Sequence, residues 1–296
     1  MTMHIFHTKA EVRAYVASAR DAHKTIGFVP TMGALHEGHL TLMRKALAGN
    51  DLVIASIFVN PTQFGPDEDY SSYPRSADAD CELLASEGVS AVFIPTAGEM
   101  YDTTIEALNA SDGELSRTSV VPGPLSKLFE GALRPIHFAG VCLVLSKFFN
   151  IVQPDRAYFG EKDYQQLAIV RQMVADLDMP LEIVGCPIAR DESGLALSSR
   201  NRYFDEAQRA KAGVLYQAIL LAQNCCAQGI VDCGEIVRDV IDYLTKQCGD
   251  TLKIGYVAIV ESATLEEIDT VGDNARLLIS VQLEGVHLID NAQLCL

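Results

Sequence analysis

Short runs rich in Val, Ile and Phe alternate along this chain with stretches whose apolar residues recur every three to four positions, and no other feature restricts the fold as much. A strand followed by a helix returns its next strand parallel to the last. The expected product is an α/β, doubly wound, Rossmann-like parallel sheet covered by helices on both faces. Strands are expected at residues 25–30, 51–59, 89–94, 156–159 and 181–187. Helices are expected from Thr8, where Glu11 three residues on completes a capping box, from near Gly38, and over 76–87, 138–152 and 164–176. Between residues 98 and 135 the pattern weakens into a segment holding Asn109, Ser111, Asp112, Gly113, Pro122, Gly123 and Pro124, which reads as a mobile loop able to close an active site. From residue 187 the character changes. Asp205 with Gln208 can cap a long helix to residue 227, a second helix covers 232–247, and strands follow at 254–260 and 276–282. The reading is therefore a nucleotide-binding domain over 1–186 and a smaller C-terminal α+β domain over 187–296.

Charge narrows the function. With 23 basic against 39 acidic residues the net charge is -16, which argues against binding a nucleic-acid backbone. A polyphosphate ligand must find positive groups concentrated locally. Eight cysteines are scattered without a CxxC pair, so neither a zinc knuckle nor a disulfide scaffold is indicated, and Cys225, Cys226 and Cys233 read as core thiols on helical stretches rather than metal ligands. The first residues carry no basic start followed by a long apolar run, and the most apolar stretch, 141–152, is interrupted by Ser146, Lys147 and Asn150. A soluble, cytoplasmic protein with no membrane partner is expected.

The densest chemistry lies in residues 30–39, Pro-Thr-Met-Gly-Ala-Leu-His-Glu-Gly-His, where a strand should end and a helix begin. Doubly wound folds bind ligands at such positions. Gly33 and Gly38 let backbone approach closely, the helix start offers N–H groups, and His36 and His39, three apart, share one side of the first turn. Two imidazoles there can donate hydrogen bonds to a phosphate as charge develops on it. The spacing is not that of HExxH, whose second His lies one residue further on, so a hydrolytic zinc site is disfavoured and no protein-held metal is expected.

These residues resemble the HxGH signature of the nucleotidyltransferase superfamily, in the form carried by the pantothenate synthetase family. Three further blocks are similar to that family in the same order: Ser56-Ile57-Phe58-Val59-Asn60-Pro61-Thr62-Gln63-Phe64, Gly160-Glu161-Lys162-Asp163-Tyr164-Gln165-Gln166-Leu167, and Gly194-Leu195-Ala196-Leu197-Ser198-Ser199-Arg200-Asn201. A weaker likeness continues to Leu288-Ile289-Asp290-Asn291. The resemblance implies an ATP-dependent ligase that adenylates pantoate and passes the acyl group to β-alanine. It implies that Met32, Gly33, Ala34, Leu35, His36, Glu37, Gly38 and His39 hold ATP, with His39 as proton donor and His36 on the phosphates. Gly160, Glu161, Lys162, Asp163, Ala189, Leu197, Ser198, Ser199 and Arg200 are the other nucleotide residues it implies, Lys162 and Arg200 supplying positive charge. Gln63 and Gln166 are the implied pantoate ligands, with Asn60 supporting them. Magnesium as counterion of the triphosphate, a homodimer, and a second domain acting as lid also follow from the family.

Two departures stand out. Where the family reads Arg-Pro-Gly-His-Phe, this chain has Arg134-Pro135-Ile136-His137-Phe138, and Ile does not easily take the positive φ open to glycine. Glu284-Gly285-Val286-His287 replaces the usual pattern before Leu288. The alternatives are an adenylyltransferase with a phosphate acceptor, since HxGH alone does not identify the acceptor, and a catalytically impaired ATP-binding relative.

Overall fold

The computed structural model describes residues 2–66, 68–102 and 118–295. They form two compact units, one of Met1–Gly160 with Ile169–Cys186, the other of Glu161–Ala168 with Pro187–Leu296.

The first unit is built on a six-stranded, wholly parallel sheet. Its strands are β1 (His4–Phe6), β2 (Ile26–Thr31), β3 (Leu52–Ile57), β4 (Ala91–Phe93), β5 (Arg156–Gly160) and β6 (Glu182–Cys186), in the spatial order β1-β4-β3-β2-β5-β6. From β2 the chain steps outward to β3 and β4, then jumps back to lay β5 on the other side. The switch point therefore falls between β2 and β5, and the crevice beyond their carboxyl ends is where such sheets take ligands. Helices α1 (Lys9–Asp21), α2 (Glu37–Gly49), α3 (Ala77–Ser86), α4 (Ala97–Tyr101), α5 (Phe129–Leu133) and α6 (His137–Val152) complete this unit, apart from its share of α7 (Tyr164–Asp176). Val29, Leu35, Met43, Val53, Ala55 and Val92 are among the buried residues joining the sheet to its helices.

Local signals account for most of these elements. Thr8 and Glu11 form the capping box that starts α1. The edge strand β1, unexpected from sequence, is only three residues long and exposed on two of them, so it lacks an alternating apolar signature. Residues 103–117, in the middle of the expected mobile loop, lie outside the described residues; the remainder of that stretch includes α4, a 3₁₀ turn at Pro124–Lys127 and α5. Ile136 stands just before α6 with φ -95 and ψ -14, an ordinary right-handed conformation. The position does not require glycine, and the isoleucine introduces no backbone strain.

The second unit pairs three antiparallel strands, β7 (Leu252–Glu261), β8 (Ala275–Leu283) and β9 (Val286–Gln293), with α8 (Glu206–Ala212), α9 (Val214–Ala227) and α10 (Cys233–Cys248). The single long helix expected to residue 227 is two helices. Asp205 and Gln208 do cap the first, but the helix is interrupted at Gly213, where a Cβ would stand 2.6 Å from the Ser193 carbonyl oxygen. β9 was not expected either. Leu283 and Val286 pair across a two-residue turn in which Glu284 and Gly285 have φ of 49 and 86, the positive angles that a tight hairpin requires. The departure before Leu288 thus sits in a hairpin turn, and the Glu284 carboxylate is taken up by Gln208 and Lys211. Cys225, Cys226 and Cys233 are buried in the apolar core of this unit with Leu215, Ile219, Ile236 and Val240.

The expected boundary at residue 186 differs from the observed grouping in one respect. Glu161–Ala168 belongs with the second unit, because the Asn291 amide bonds the carbonyls of Glu161 and Lys162 and the Arg276 guanidinium lies 3.8 Å from the centre of the Tyr164 ring.

Candidate active site

The first unit shapes the 32–36 loop from below. At the end of β2 the Thr31 hydroxyl donates to the Ser56 carbonyl at 2.6 Å and accepts from the Gly33 N–H at 3.2 Å. Gly33 and Ala34 then take φ of 83 and 51, turning the chain out of the strand. A Cβ on Gly33 would lie 3.0 Å from both Asp80 and Ile57 side-chain atoms, so glycine is required by space as well as by conformation. Asp80, 1% exposed on α3, accepts the Ala34 and Leu35 N–H groups at 2.8 Å each. A buried carboxylate holding successive amides fixes the loop that leads into α2. Sequence reasoning missed Asp80: an acidic residue in a helix's first turn reads as a partner of the helix dipole, and nothing local links it to a loop 45 residues earlier.

His36 is the N-cap of α2, and its N–H donates to His39 Nδ1 at 3.3 Å, with the rings 4.1 Å apart. An Nδ1 that accepts leaves the proton of the neutral ring on Nε2. His39 is thereby set as an Nε2–H donor beside the partial positive charge of a helix start. Glu37 turns its carboxylate to Arg44 on the same helix, so its side chain is engaged there.

Gln63 ends the 3₁₀ turn Pro61–Gln63 that follows β3. Its Nε2 donates to Met32 Sδ at 3.2 Å and its Oε1 accepts from Asn60 Nδ2 at 3.0 Å, which brings the expected pantoate and ATP blocks together. Asn60, 1% exposed, is fully engaged: Nδ2 also donates to the Gly140 carbonyl, while Oδ1 accepts from the Tyr101 and Thr62 hydroxyls. It orients Gln63. Glycine at 140 is what lets α6 approach, since a Cβ there would sit 2.2 Å from the Thr62 carbonyl oxygen and 2.6 Å from Gln63 Cα. From the same helix His137 Nδ1 lies 3.0 Å from the Gln63 carbonyl oxygen. The ion pair of Arg134 with Glu68 fastens the segment just beyond. Burial raises the Glu68 carboxyl, but the hydrogen bond and charge of Arg134 outweigh it, with help from His137 and the Gly65 N–H, and hold the carboxyl below its usual range.

Gly160 ends β5 in the first unit, and the other expected residues, from Glu161 to Arg200, belong to the second. Glu161–Asp163 form a 3₁₀ turn directly after β5, and Lys162 Nζ lies 3.4 Å from Asp163 Oδ1. Gln166, half-buried on α7, lies in this unit, whereas Gln63 lies in the other; the expectation had them in one domain. Leu197 N–H donates to the Ala189 carbonyl at 2.9 Å, closing a turn in which Arg190 bridges Ala196. Ser198 caps the 3₁₀ helix Ser199–Tyr203 by accepting from the Arg200 N–H, which fixes the backbone that carries Arg200. Among the described residues no group of three or more His, Cys, Asp or Glu is arranged to hold a metal ion.

Comparison with known proteins gives a consistent result. A family model described as Pantoate-beta-alanine ligase matches residues 4–293. A pantothenate synthetase from Thermotoga neapolitana is 45% identical over 98% of this chain and 99% of its own length, and one from Mycolicibacterium smegmatis is 47% identical over 98% and 87%. The crystal structure of pantothenate synthetase from Thermus thermophilus superposes with a TM-score of 0.88 at 44% identity, covering 98% of this chain and 99% of that one. A pantoate-beta-alanine ligase from Francisella tularensis, complexed with beta-gamma ATP and beta-alanine, gives a TM-score of 0.78 at 32% identity over 99% and 98%.

Proposed function

The chain belongs to the pantoate-beta-alanine ligase family, and from that premise we propose that it condenses pantoate with β-alanine through a pantoyl-adenylate, releasing AMP and pyrophosphate. The observation that carries the reading is the imidazole pair at the start of α2, at the switch point of the parallel sheet, with His39 Nδ1 accepting from the His36 N–H so that Nε2 carries the ring proton.

In the first half-reaction a pantoate carboxylate oxygen attacks the α-phosphorus of ATP and pyrophosphate leaves. Two anions meet, so the step needs fixed donors and positive charge where negative charge accumulates. His39 and His36 donate to the phosphates, and the 32–39 backbone, held by Asp80, keeps those donors in place without rearrangement. Lys162 and Arg200 supply the compact and the planar cation, with the Gly160, Glu161, Asp163, Ala189, Leu197, Ser198 and Ser199 segments around the nucleotide. Gln63 and Gln166 bind pantoate by carboxamide groups, which recognise hydroxyls and carboxylate without quenching the nucleophile by charge. Magnesium arrives with ATP, bound by phosphate oxygens and water rather than by a protein cage. In the second half-reaction the β-alanine amine attacks the acyl carbon and AMP leaves. A cytoplasmic homodimer is the proposed working form; among the described residues no helix is long and apolar enough to cross a membrane.

The test is pantoate-dependent exchange of labelled pyrophosphate into ATP without β-alanine, followed by addition of β-alanine. Exchange and then formation of pantothenate and AMP are expected. Exchange without amide would leave the adenylating site standing and reject the acceptor, and no exchange with ATP bound would reject the adenylation itself.

A further inference from the structure

The geometry points to Asn291 as a positioning residue for Lys162, an inference that rests on the ligase reading above. The Asn291 side chain is 3% exposed on β9, and its Nδ2 donates to two carbonyl oxygens at once, Glu161 at 2.9 Å and Lys162 at 3.0 Å. Those carbonyls belong to the peptide planes on either side of the Lys162 Cα. Holding both planes fixes φ and ψ of Lys162, and with them the direction in which its side chain leaves the backbone. One amide thus aims one cation.

The amide is itself fixed. Asn291 Oδ1 accepts from Arg276 Nη1 at 2.5 Å, and the Arg276 guanidinium lies over the Tyr164 ring at the start of α7. The Asn291 N–H donates to Asp290 Oδ1 at 2.8 Å, and Asp290 takes a two-pronged bond from Arg190 at 2.6 and 2.9 Å. Arg190 Nη1 also donates to the Gly194 carbonyl, where the Gly194–Arg200 segment begins, and its guanidinium lies 4.3 Å from the Tyr216 ring centre. The adjacent residues Asp290 and Asn291 therefore connect both nucleotide segments of the second unit. In the sequence they were only the faint end of the family likeness. Sheet pairing alone would place β9; it does not call for a buried amide aimed at two carbonyls of another segment.

Two variants test this. Asn291→Asp keeps the acceptor for Arg276 but sets a carboxylate against the two carbonyls, and Asn291→Ser removes the amide without adding charge. With melting temperatures near wild type, each is expected to lower kcat/KM for ATP in pyrophosphate exchange by about tenfold to a hundredfold, the scale of a catalytic group misplaced by a fraction of an ångström to an ångström. In a Lys162→Ala background the same substitutions should then cost less than about twofold, because the group they aim is gone. Wild-type kinetics in either variant, or losses that simply multiply with that of Lys162→Ala, would overturn the assignment, as would loss of folding in both. If wild type shows no exchange, the ligase reading fails, and the same double-mutant cycle read on ATP affinity by calorimetry still decides whether Asn291 acts through Lys162.

Discussion

The Nδ1 atom of His39 accepts a hydrogen bond from the residue that caps its own helix, which puts the proton of the neutral ring on Nε2. His39→Ala is therefore expected to lower pantoate-dependent exchange by about a hundredfold to a thousandfold while ATP still binds, the loss typical of one donor to a developing oxyanion; single-turnover kinetics and calorimetry separate the two effects. Asp80 acts one layer below. Replacing it by Ala leaves the Ala34 and Leu35 N–H groups without their buried acceptor, at a cost of about 3 kcal/mol or more in urea unfolding. Its exchange rate should fall along with that of the His39 variant, since the loop it holds is the one that presents the histidine. An Asp80→Ala protein with wild-type stability would show that the loop holds itself. The histidines were legible in the sequence because their spacing is local; Asp80 was not, because its partners lie on another element.

At the scale of elements, the proposed pantoate ligand Gln63 depends on how closely α6 approaches the 61–63 turn. Gly140→Ala places a methyl group inside van der Waals distance of the Thr62 carbonyl, so the helix or the turn must move, and Gln63 moves with it. The KM for pantoate is expected to rise by about tenfold or more, with that for ATP changing less, as a misplaced ligand requires; equal changes in both would locate the damage elsewhere. Ile136 on the same helix's approach shows the opposite case. Sequence made it suspect by comparison with a glycine, yet its φ of -95 removes the objection, so Ile136→Gly is expected to leave exchange kinetics within about twofold and to gain no stability. Helix breaks and hairpins divide along similar lines: the Asp205 and Gln208 cap was readable, whereas the close approach of the Ser193 carbonyl that calls for glycine at the break, Gly213, was not.

For the whole molecule, acid lability has a nameable contribution. The Glu68 carboxyl is held below its usual range, so the stabilisation from its pair with Arg134 is present above the unfolded value of about 4.3 and is lost as pH falls through the lower folded value. The melting-temperature difference between wild type and Glu68→Gln should thus be full at pH 6 and shrink towards pH 3; a difference independent of pH would assign it to packing. The thiols give a second global reading. Cys295 is exposed and Cys81 partly so, while the other six are buried, with burial pushing Cys142 up to about 12 and Cys233 to about 11. An alkylating reagent at neutral pH should modify Cys295 first and reach the buried six only on unfolding.

The alternation of apolar runs and helical periodicity, with a capping box at Thr8 and block residues at strand ends, was enough to fix a parallel α/β sheet, and the ordered blocks were enough to bring out the family. These are signals carried within a dozen residues, where side-chain period, turn chemistry and spacing act directly on the backbone. Tertiary structure alone decided that Asp80 holds the histidine loop, that Asn60 serves Gln63, that Gly213 breaks a helix, and that a strand near the end of the chain fixes the backbone around Lys162. Each of those rests on a buried polar group or a close backbone approach between segments far apart in sequence. A hydrogen bond has a partner only once both segments are in place.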